Sequence, residues 1–499
     1  MAGVNSPVDE NLLAKRTTHR LMPDASRVIS RLFVAGQEDY GASQSRAGLV
    51  IERVIGLSEE QVKTSLDSVV SRFSHRHENL FDDLEAHAHR VAHRLQPDLT
   101  LSPERLRLIG ALFTHEFSIE GAALTNPSIV PHPNQDGVDN GSLQFVMSVR
   151  GVGEGHRSSI GFRTGRVNSS GDVSIDEVGD FPVIGSHWES ALHQCNFRGP
   201  LEELQDLGEN GRYILGQLGE TFTTEELNRV LFQFLLDRDS FKNVDNTVHH
   251  FRMIAERNYV VTFSEDKDIS ERILWPVSYA EWRGMEDARF VLFHHDDGSH
   301  QYLATYTAFD GMGVSQQLLS TNDFLSFETH PLAGMAARGK GMAFFPRKIG
   351  GVFAAMSRAD HESNWLSFSD RLDYWSALTA IQLPSRPWEL IQLGNSGSPI
   401  ETEAGWLVIT HAVGPMRTYH LSAMLLDVDD PARVIGTLDR PLLSPREDER
   451  DGYVPNVVYS CGSLIHAGKL VLPFGIADQS IGIATVEVDE LLEELTSRR

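Results

Sequence analysis

The sequence has few cysteines, an excess of acidic over basic residues, and no long apolar run. Cys195 and Cys461 are its two cysteines, so at most one disulfide can form, and a reducing cytoplasmic location is expected. Lys and Arg number 44 against 69 Asp and Glu, a formal charge of -25, which repels nucleic acids and anionic membrane surfaces. No stretch approaches the roughly 20 apolar residues of a membrane span, and no signal-peptide core precedes Arg20. Nucleic-acid-binding, membrane-spanning and disulfide-rich secreted classes are therefore excluded.

The N-terminal quarter has a helical pattern after a polar start. Residues 1–25 are predicted to be a flexible N-terminus. Over 26–125, Ser58 and Gln61 form a capping-box pattern before apolar residues at helical spacing. Ser102 followed by Pro103 marks the start of a later helix, which is expected to run towards Ala123. The sequence therefore predicts a helical N-terminal region, which could also join copies of the chain into a homo-oligomer.

Residues 126–490 have mainly β patterns, with short apolar runs between Gly, Asp, Asn and Pro. A helical insertion is predicted at about 200–245, where Thr223 and Glu226 form a second capping box. Ser320–Phe327 resembles Ser367–Tyr374, with Asp, Leu and an aromatic residue in register. A period of about 40 to 50 residues predicts propeller blades, roughly five or six of them, in which the strand ends meet at one central depression. A pair of β-sandwiches is the alternative.

The most unusual stretch is Glu281–Arg289, which carries five charges directly before the apolar run Phe290–Phe293. Charged side chains at the mouth of a buried strand must face water, each other or a ligand. An Asp beside a Glu, with Arg on both sides, suits general acid catalysis next to an anionic reactant, since neighbouring charges decide when an acid keeps its proton. The alternative is that these charges only form ion pairs.

Three further cationic or titratable residues stand at or beside the ends of apolar runs: Lys340, Arg358 and His411. If these strand ends converge, the three side chains form a pocket suited to a small oxyanion such as phosphate. Taken singly, each could be an ordinary strand-end residue that reaches solvent. The sequence therefore favours a phosphate pocket only if the fold brings the three together.

A family resemblance follows from these residues. Gly284–Arg289 resembles the Gly-x-Glu-Asp-Pro-Arg signature of glycoside hydrolase family 130, the mannoside phosphorylases and related β-mannosidases. The resemblance covers roughly 126–491, and it continues in the same order through Thr305–Gly311, Phe345–Ile349, Gly397–Ile400, Gly405–Leu407, Leu425–Asp427 with Asp430–Pro431, Val454–Val458 and Gly475–Asp478.

The resemblance implies a five-bladed β-propeller that phosphorolyses a β-mannoside with inversion, giving α-mannose 1-phosphate and an acceptor sugar. Asp287 would be the general acid and would pass its proton to the glycosidic oxygen through a mannose hydroxyl. Inorganic phosphate would be the co-substrate, with no metal or organic cofactor, and the other partner would be a mannose-containing oligosaccharide. The residues implied for phosphate are Lys340, Arg358, His411 and Tyr419, and those for the sugar are Asn126, Arg150 and Asp478. Arg283 and Glu286, beside Asp287 in the charged stretch, are further candidates for the sugar, although Arg283 could instead pair with Glu281 or Glu286.

Several positions depart from the family pattern. Ala288 replaces the usual Pro, and Ser460 stands where Pro often follows the Asn-Val-Val strand. The other departures fall beside the candidate cations, at Gly339, Gly341, Ser357 and Ala359. The acid and the cations are retained, so the departures bear on subgroup and linkage.

The two neighbouring carboxylates are expected to act differently. On an extended segment Glu286 and Asp287 would point to opposite faces, which predicts a single acid. Phosphate arrives already ionised and needs no second carboxylate, and this favours a phosphorylase over a β-mannosidase. A carbohydrate-binding propeller without turnover is a third reading. Arg289 is expected to pair with Glu281 or Glu286.

Overall fold

The computed structural model describes residues 13–34, 45–95 and 100–497. They fall into two compact units, a smaller one made of 24–121 and 179–183 and a larger one that contains 122–178, the residues from Ile184 onward, and the chain up to Pro23. Across the described ranges, no helix is both long and apolar enough to cross a membrane.

The smaller unit is a helical cluster on a two-stranded antiparallel ladder. The ladder pairs Val28–Leu32 with Thr114–Ser118. Both predicted helix starts are confirmed: Ser58 and Gln61 form a reciprocal cap, and the Ser102 side chain caps the helix that begins at Pro103. The later helix is shorter than predicted, because the chain turns after Leu112 to form the second ladder strand. The helices are α1 (Arg46–Ile55), α2 (Glu59–Phe73), α3 (Leu80–Val91) and α4 (Pro103–Leu112).

The larger unit is built from antiparallel meanders, and the mainly-β prediction is confirmed. Five such four-stranded arrangements occur among the described residues, each with strands side by side in chain order apart from the last strand of the fifth. Their strands are Ala123–Pro131, Leu143–Val152, Ser158–Val167 and Val173–Ile175; Gly284–His294, His300–Phe309, Val314–Thr321 and Ser326–Pro331; Ala343–Phe344, Phe353–Ser357, Asn364–Ser369 and Thr379–Gln382; Gln392–Asn395, Gly405–Val413, Tyr419–Leu426 and Val434–Thr437; and Val458–Tyr459, Lys469–Ile476, Ser480–Glu487 and Lys15–Leu21.

The sequence repeat falls on equivalent places in two of these meanders. Ser320–Phe327 spans the connection from the third to the fourth strand of the second meander, and Ser367–Tyr374 leaves the third strand of the third meander. The shared Asp, Leu and aromatic residues therefore mark the same step of a repeated structural unit.

The outer strand of the fifth meander comes from the N-terminus. Lys15–Leu21 pairs antiparallel with Ser480–Glu487, and the Arg16 guanidinium donates to Glu449 over 2.6 Å. The prediction of a flexible segment over 1–25 is therefore wrong for this strand, because the open edge of a C-terminal strand supplies it with backbone partners. Residues 1–12 lie outside the described ranges.

The helical insertion is longer than the predicted 200–245. Its helices are α5 (Gln194–Glu203), α6 (Glu209–Gly216), α7 (Thr224–Leu236) and α8 (Val244–Ala255). Thr223 and Glu226 form the predicted capping box, and the apolar faces of the four helices share one core. The flanking strands Ser186–Glu189 and Tyr259–Thr262 pair with each other and extend the second meander. The last helix, α9 (Val488–Thr496), follows the fifth meander.

Candidate active site

The candidate acid Asp287 lies in the first strand of the second meander, where the strand is irregular. The pairing register with His300–Phe309 shifts between Glu286 and Arg289, and Asp287 has φ 54°, a conformation that is uncommon for a residue other than glycine. The strict alternation expected for an extended segment does not hold at such a bulge. The extended segment on which the prediction for Glu286 and Asp287 depends is therefore interrupted here, and Arg150 and Lys340 act electrostatically on both carboxylates.

Asp287 is buried among cations. Its Oδ2 lies 3.9 Å from the Lys340 Nζ, and Lys340 stands in the turn before Ala343–Phe344. Burial by itself raises the pKa of Asp287, but Lys340, followed by Arg289, Arg150 and Arg358, pulls that pKa below its usual value. This field therefore favours the carboxylate form of Asp287, and it would equally attract an added anion.

The predicted sugar-binding residues Asn126, Arg150, Glu286 and Asp478 share one neighbourhood. Arg150 donates to Glu286 over 2.5 Å. Burial raises the pKa of Glu286, although Arg150 opposes the shift. Burial also raises the pKa of Asp478, again against the pull of Arg150. Asn126 is buried and, like Asp478, has a positive φ.

Arg358 and His411 form a second, buried part of the site. Arg358 donates from Nη2 to the His361 carbonyl over 3.2 Å, but within the described ranges neither its Nε nor the His411 Nε2 has a hydrogen-bond partner. A methyl carbon added at Gly394 would come 2.1 Å from the Arg358 Nε and 2.8 Å from the His411 Cε1. Glycine is therefore needed for the two side chains to lie beside this strand.

The surroundings of His411 favour its neutral form. Burial lowers its pKa well below the ordinary value, and the nearby charges of Arg358 and Arg289 lower it further. The ring of Tyr419 stacks parallel to His411 at a centroid distance of 6.5 Å. A neutral imidazole keeps one N–H to donate and one nitrogen to accept, which suits a partly protonated oxyanion.

Arg283 lies elsewhere. Its side chain is exposed just before the strand that carries Asp287, and it packs beside Gly311. The pKa of Arg157 is lowered mainly by the burial of Arg157 itself and further by the charge of Arg283. The structure thus groups the predicted acid, the four predicted phosphate residues and four of the five predicted sugar residues. Arg283, which is exposed, is the predicted sugar residue outside this group.

Comparison with known proteins supports the family resemblance. Residues 238–497 match the model of a glycoside hydrolase family 130 group described as beta-1,4-mannooligosaccharide phosphorylase. The chain belongs to glycoside hydrolase family 130. It is 33% identical over 216 residues to a 1,2-beta-oligomannan phosphorylase of Thermoanaerobacter, which covers 42% of this chain and 71% of the relative. It is a glycoside phosphorylase.

Two further relatives are named beta-1,2-mannobiose phosphorylase. The one from Thermoanaerobacter is 31% identical, over 50% of this chain and 82% of its own, and the one from Listeria innocua is 30% identical, over 44% of this chain and 63% of its own. A solved beta-1,2-mannobiose phosphorylase from Listeria innocua, in complex with beta-1,2-mannobiose, aligns over 77% of this chain and 94% of its own, with 21% identity and a TM-score of 0.46.

The family 130 site contains residues that sequence reasoning missed or misassigned. Arg289, fully buried, donates to the Asp287 carbonyl over 3.0 Å and to the Tyr459 hydroxyl over 2.7 Å. The Tyr459 ring in turn lies 4.7 Å from the His411 ring. The prediction that Arg289 pairs with Glu281 or Glu286 is wrong, because tyrosine hydroxyls and backbone N–H groups surround Glu281 and Arg150 binds Glu286. The sequence did contain a signal for Tyr459, because this residue directly follows the family motif Val454–Val458.

Proposed function

We propose that this enzyme phosphorolyses β-mannosides with inversion, producing α-mannose 1-phosphate and a shorter acceptor sugar. The observation that carries the proposal is the pair of buried, unpartnered nitrogen atoms on Arg358 and His411, which share the surroundings of Asp287. Buried polar groups are normally hydrogen-bonded, so a buried nitrogen atom without a partner in the chain calls for a ligand, an ion or a solvent molecule. Phosphate is the anion that the named relatives use, and its negative charge complements the positive charge of Arg358 and Lys340.

The five meanders are proposed to be the blades of a five-bladed β-propeller. Each runs in chain order, and the fifth takes its outer strand from Lys15–Leu21, which is a way for a circular fold to close without leaving an open edge. The site residues come from all five meanders or the loops that join them, as a central depression would require. On this reading, 126–490 is the catalytic domain, with α5–α8 inserted, and 26–125 is a separate helical domain.

Asp287 is proposed to be the general acid. A carboxylate held ionised by Lys340 and three arginines cannot donate a proton until part of that positive field is offset. A phosphate anion bound between Lys340, Arg358 and His411 would offset it, and the pKa of Asp287 would then rise. The proton is proposed to pass through a mannose hydroxyl to the glycosidic oxygen, while phosphate attacks the anomeric carbon from the opposite face.

The sugar is proposed to lie on the other side of Asp287, against Asn126, Arg150, Glu286 and Asp478. Arg150 is fixed by Glu286, so its remaining N–H groups can donate to hydroxyls. Burial raises the pKa of both Glu286 and Asp478, and their carboxyl oxygens can accept hydrogen bonds from sugar hydroxyls.

A β-mannosidase that uses water is the competing activity. An inverting hydrolase needs two carboxyl groups roughly 6.5–9.5 Å apart, so that water fits between them. Glu286 and Asp287 are adjacent on one strand, and a buried cationic pocket has no evident use in that reaction. A phosphate nucleophile is already charged and needs placement, which the pocket supplies.

The test is product formation with and without phosphate. We expect mannose 1-phosphate from a β-mannooligosaccharide only when phosphate is present, and phosphate release when mannose 1-phosphate is offered with acceptor sugars. Free mannose formed at the same rate without phosphate would contradict the proposal.

Two variants locate the phosphate. Arg358→Ala removes a charged donor, which is worth about 1.5–3 kcal/mol, so the phosphate KM should rise about 10- to 100-fold. Gly394→Ala should do the same by steric displacement of Arg358. Arg347→Ala, at a surface pair with Glu401, is the matched control and should leave the phosphate KM unchanged. An unaltered phosphate KM in both site variants would place the phosphate elsewhere.

A further inference from the structure

A cavity outside the catalytic cluster lies at the junction of the helical insertion and the second meander. Its volume is ≈ 430 Å³, within the range of about 300–1,000 Å³ that is usual for small-molecule sites. Its walls come from the paired strands Ser186–Glu189 and Tyr259–Thr262, from α7 and α8, and from the turn at Val277. None of the candidate catalytic, phosphate or sugar residues lines it, so it is a separate site.

The wall includes an aromatic ring that is both exposed and anchored. Trp188 is 60% exposed, which is high for so large an apolar side chain. Its indole Nε1 donates to the Thr262 Oγ1 on the neighbouring strand over 2.8 Å. The hydrogen bond fixes the ring while leaving indole surface open to solvent. An exposed, immobilised indole is a suitable platform for the apolar C–H face of a sugar ring.

Free polar groups surround the platform. The cavity is also lined by Glu189 on the strand, Asn228 on α7, and Arg252 and Glu256 at the end of α8. Among the described residues, no hydrogen bond or ion pair engages these four side chains. Planar amide, guanidinium and carboxylate groups can each bind two neighbouring hydroxyls. The cavity therefore offers hydrogen-bonding partners for a polyol beside a stacking surface.

The charge of the lining narrows the class of ligand. Two carboxylates and one guanidinium leave a net negative site in a chain of formal charge -25. Phosphate esters and nucleic acids would be repelled, and a neutral saccharide would not. We propose that this cavity binds a β-mannooligosaccharide as a second saccharide site, distinct from the active site. The identity of the sugar rests on the proposed function.

The site also borders the turn that leads to the catalytic strand. Tyr259 and Ser278 line the cavity, and both bind the buried carboxylate of Glu281, through the Tyr259 hydroxyl at 2.8 Å and the Ser278 backbone N–H at 3.0 Å. Glu281 is followed along the chain by Trp282, Arg283 and the strand that carries Asp287. A saccharide held in the cavity would thus be retained close to the chain segment that enters the active site.

Binding stoichiometry tests the proposal. The wild-type protein is titrated in phosphate-free buffer, where phosphorolysis lacks its co-substrate. The titrants are β-1,2-linked and β-1,4-linked mannotetraose, and binding is measured by calorimetry and native mass spectrometry. We expect two equivalents of one of these saccharides per chain. Trp188→Ala should retain one equivalent, and Phe232→Ala, an exposed aromatic of α7 that does not line the cavity, should retain two.

One equivalent in the wild type that persists in Trp188→Ala, or two equivalents in Trp188→Ala, would overturn the proposal. Phosphorolysis of mannobiose should stay within twofold of wild type in Trp188→Ala, because the indole lies outside the catalytic cluster. The two proposals can fail separately. A Trp188-dependent second equivalent without phosphate-dependent turnover would refute only the proposed function, and normal phosphorolysis with a single, Trp188-independent equivalent would refute only the second site.

Discussion

Glu281 and Asp287 are two buried carboxylates of one charged stretch, and their surroundings differ. Glu281 accepts hydrogen bonds from the Tyr259 hydroxyl at 2.8 Å and the Tyr306 hydroxyl at 2.5 Å, and from the N–H groups of Val277 and Ser278 at 2.9 and 3.0 Å. Within the described ranges no group donates a hydrogen bond to the Asp287 carboxylate, and its nearest ion partner is Lys340 at 3.9 Å. A carboxylate whose oxygens all accept hydrogen bonds stabilises the structure. A carboxylate that has only cations nearby, and no hydrogen-bond donors, can exchange a proton.

The largest effect is expected from Asp287→Asn. An amide cannot donate the proton to the leaving group, so kcat for phosphorolysis should fall about 10²- to 10⁴-fold, the range for loss of a general acid. The melting temperature should change little, since no hydrogen bond to the carboxylate is lost. Steady-state rates and thermal unfolding measure the two quantities, and near-normal turnover would remove Asp287 from the chemistry.

Glu281→Gln should have the opposite profile. The amide can accept from fewer donors than the carboxylate, so buried hydroxyl and N–H groups lose their partner, at about 1–3 kcal/mol for each unsatisfied group. The melting temperature should drop by several degrees, while kcat of the folded protein stays within a few-fold of wild type. If turnover fell as far as in Asp287→Asn without loss of stability, the contrast between the two carboxylates would be lost.

Tyr459→Phe tests the link between the two halves of the site. Without the hydroxyl, Arg289 loses its 2.7 Å partner, and the ring beside His411 is less firmly placed. We expect a roughly 3- to 30-fold fall in kcat/KM, from about 0.5–2 kcal/mol, with both kcat and the phosphate KM affected. Tyr302→Phe is the control, because that buried hydroxyl donates to the Pro131 carbonyl. Equal losses in the two variants would indicate a packing effect only.

The smallest effect is expected from buried histidine. Burial lowers the pKa of His420 to about 4, below the unfolded value of about 6.5. The unfolded chain therefore binds the proton more readily, so His420 contributes stability above pH 6.5 that is lost as the pH falls towards 4. The melting temperature of His420→Gln should decline less between pH 7 and 5 than that of wild type. Parallel declines would show that His420 does not contribute.

Much of the site could be predicted from local sequence. Asp287, Lys340, Arg358 and His411 each stand at a recognisable place, beside the end of an apolar run, and the charged stretch shows that something there must be paired or bound. Their order along the chain, combined with the later motifs, indicated the family. The caps at Ser58, Ser102 and Thr223 were equally readable, because a helix start depends on residues three positions apart.

Other features depended on tertiary structure. Arg150 reaches Glu286 and Arg289 reaches Tyr459 across separate meanders, so no local pattern pairs them. The left-handed conformation of Asp287 coincides with a bulge in the pairing with the next strand, and Arg150 and Lys340, from two other parts of the chain, act on both Asp287 and Glu286. The sequence by itself determined which groups carry charge and where the strands end. Tertiary structure decided which charged groups have hydrogen-bond partners and which remain available for a ligand or a proton. The reason is that a hydrogen bond requires donor and acceptor to meet within about 3 Å, whatever their distance along the chain.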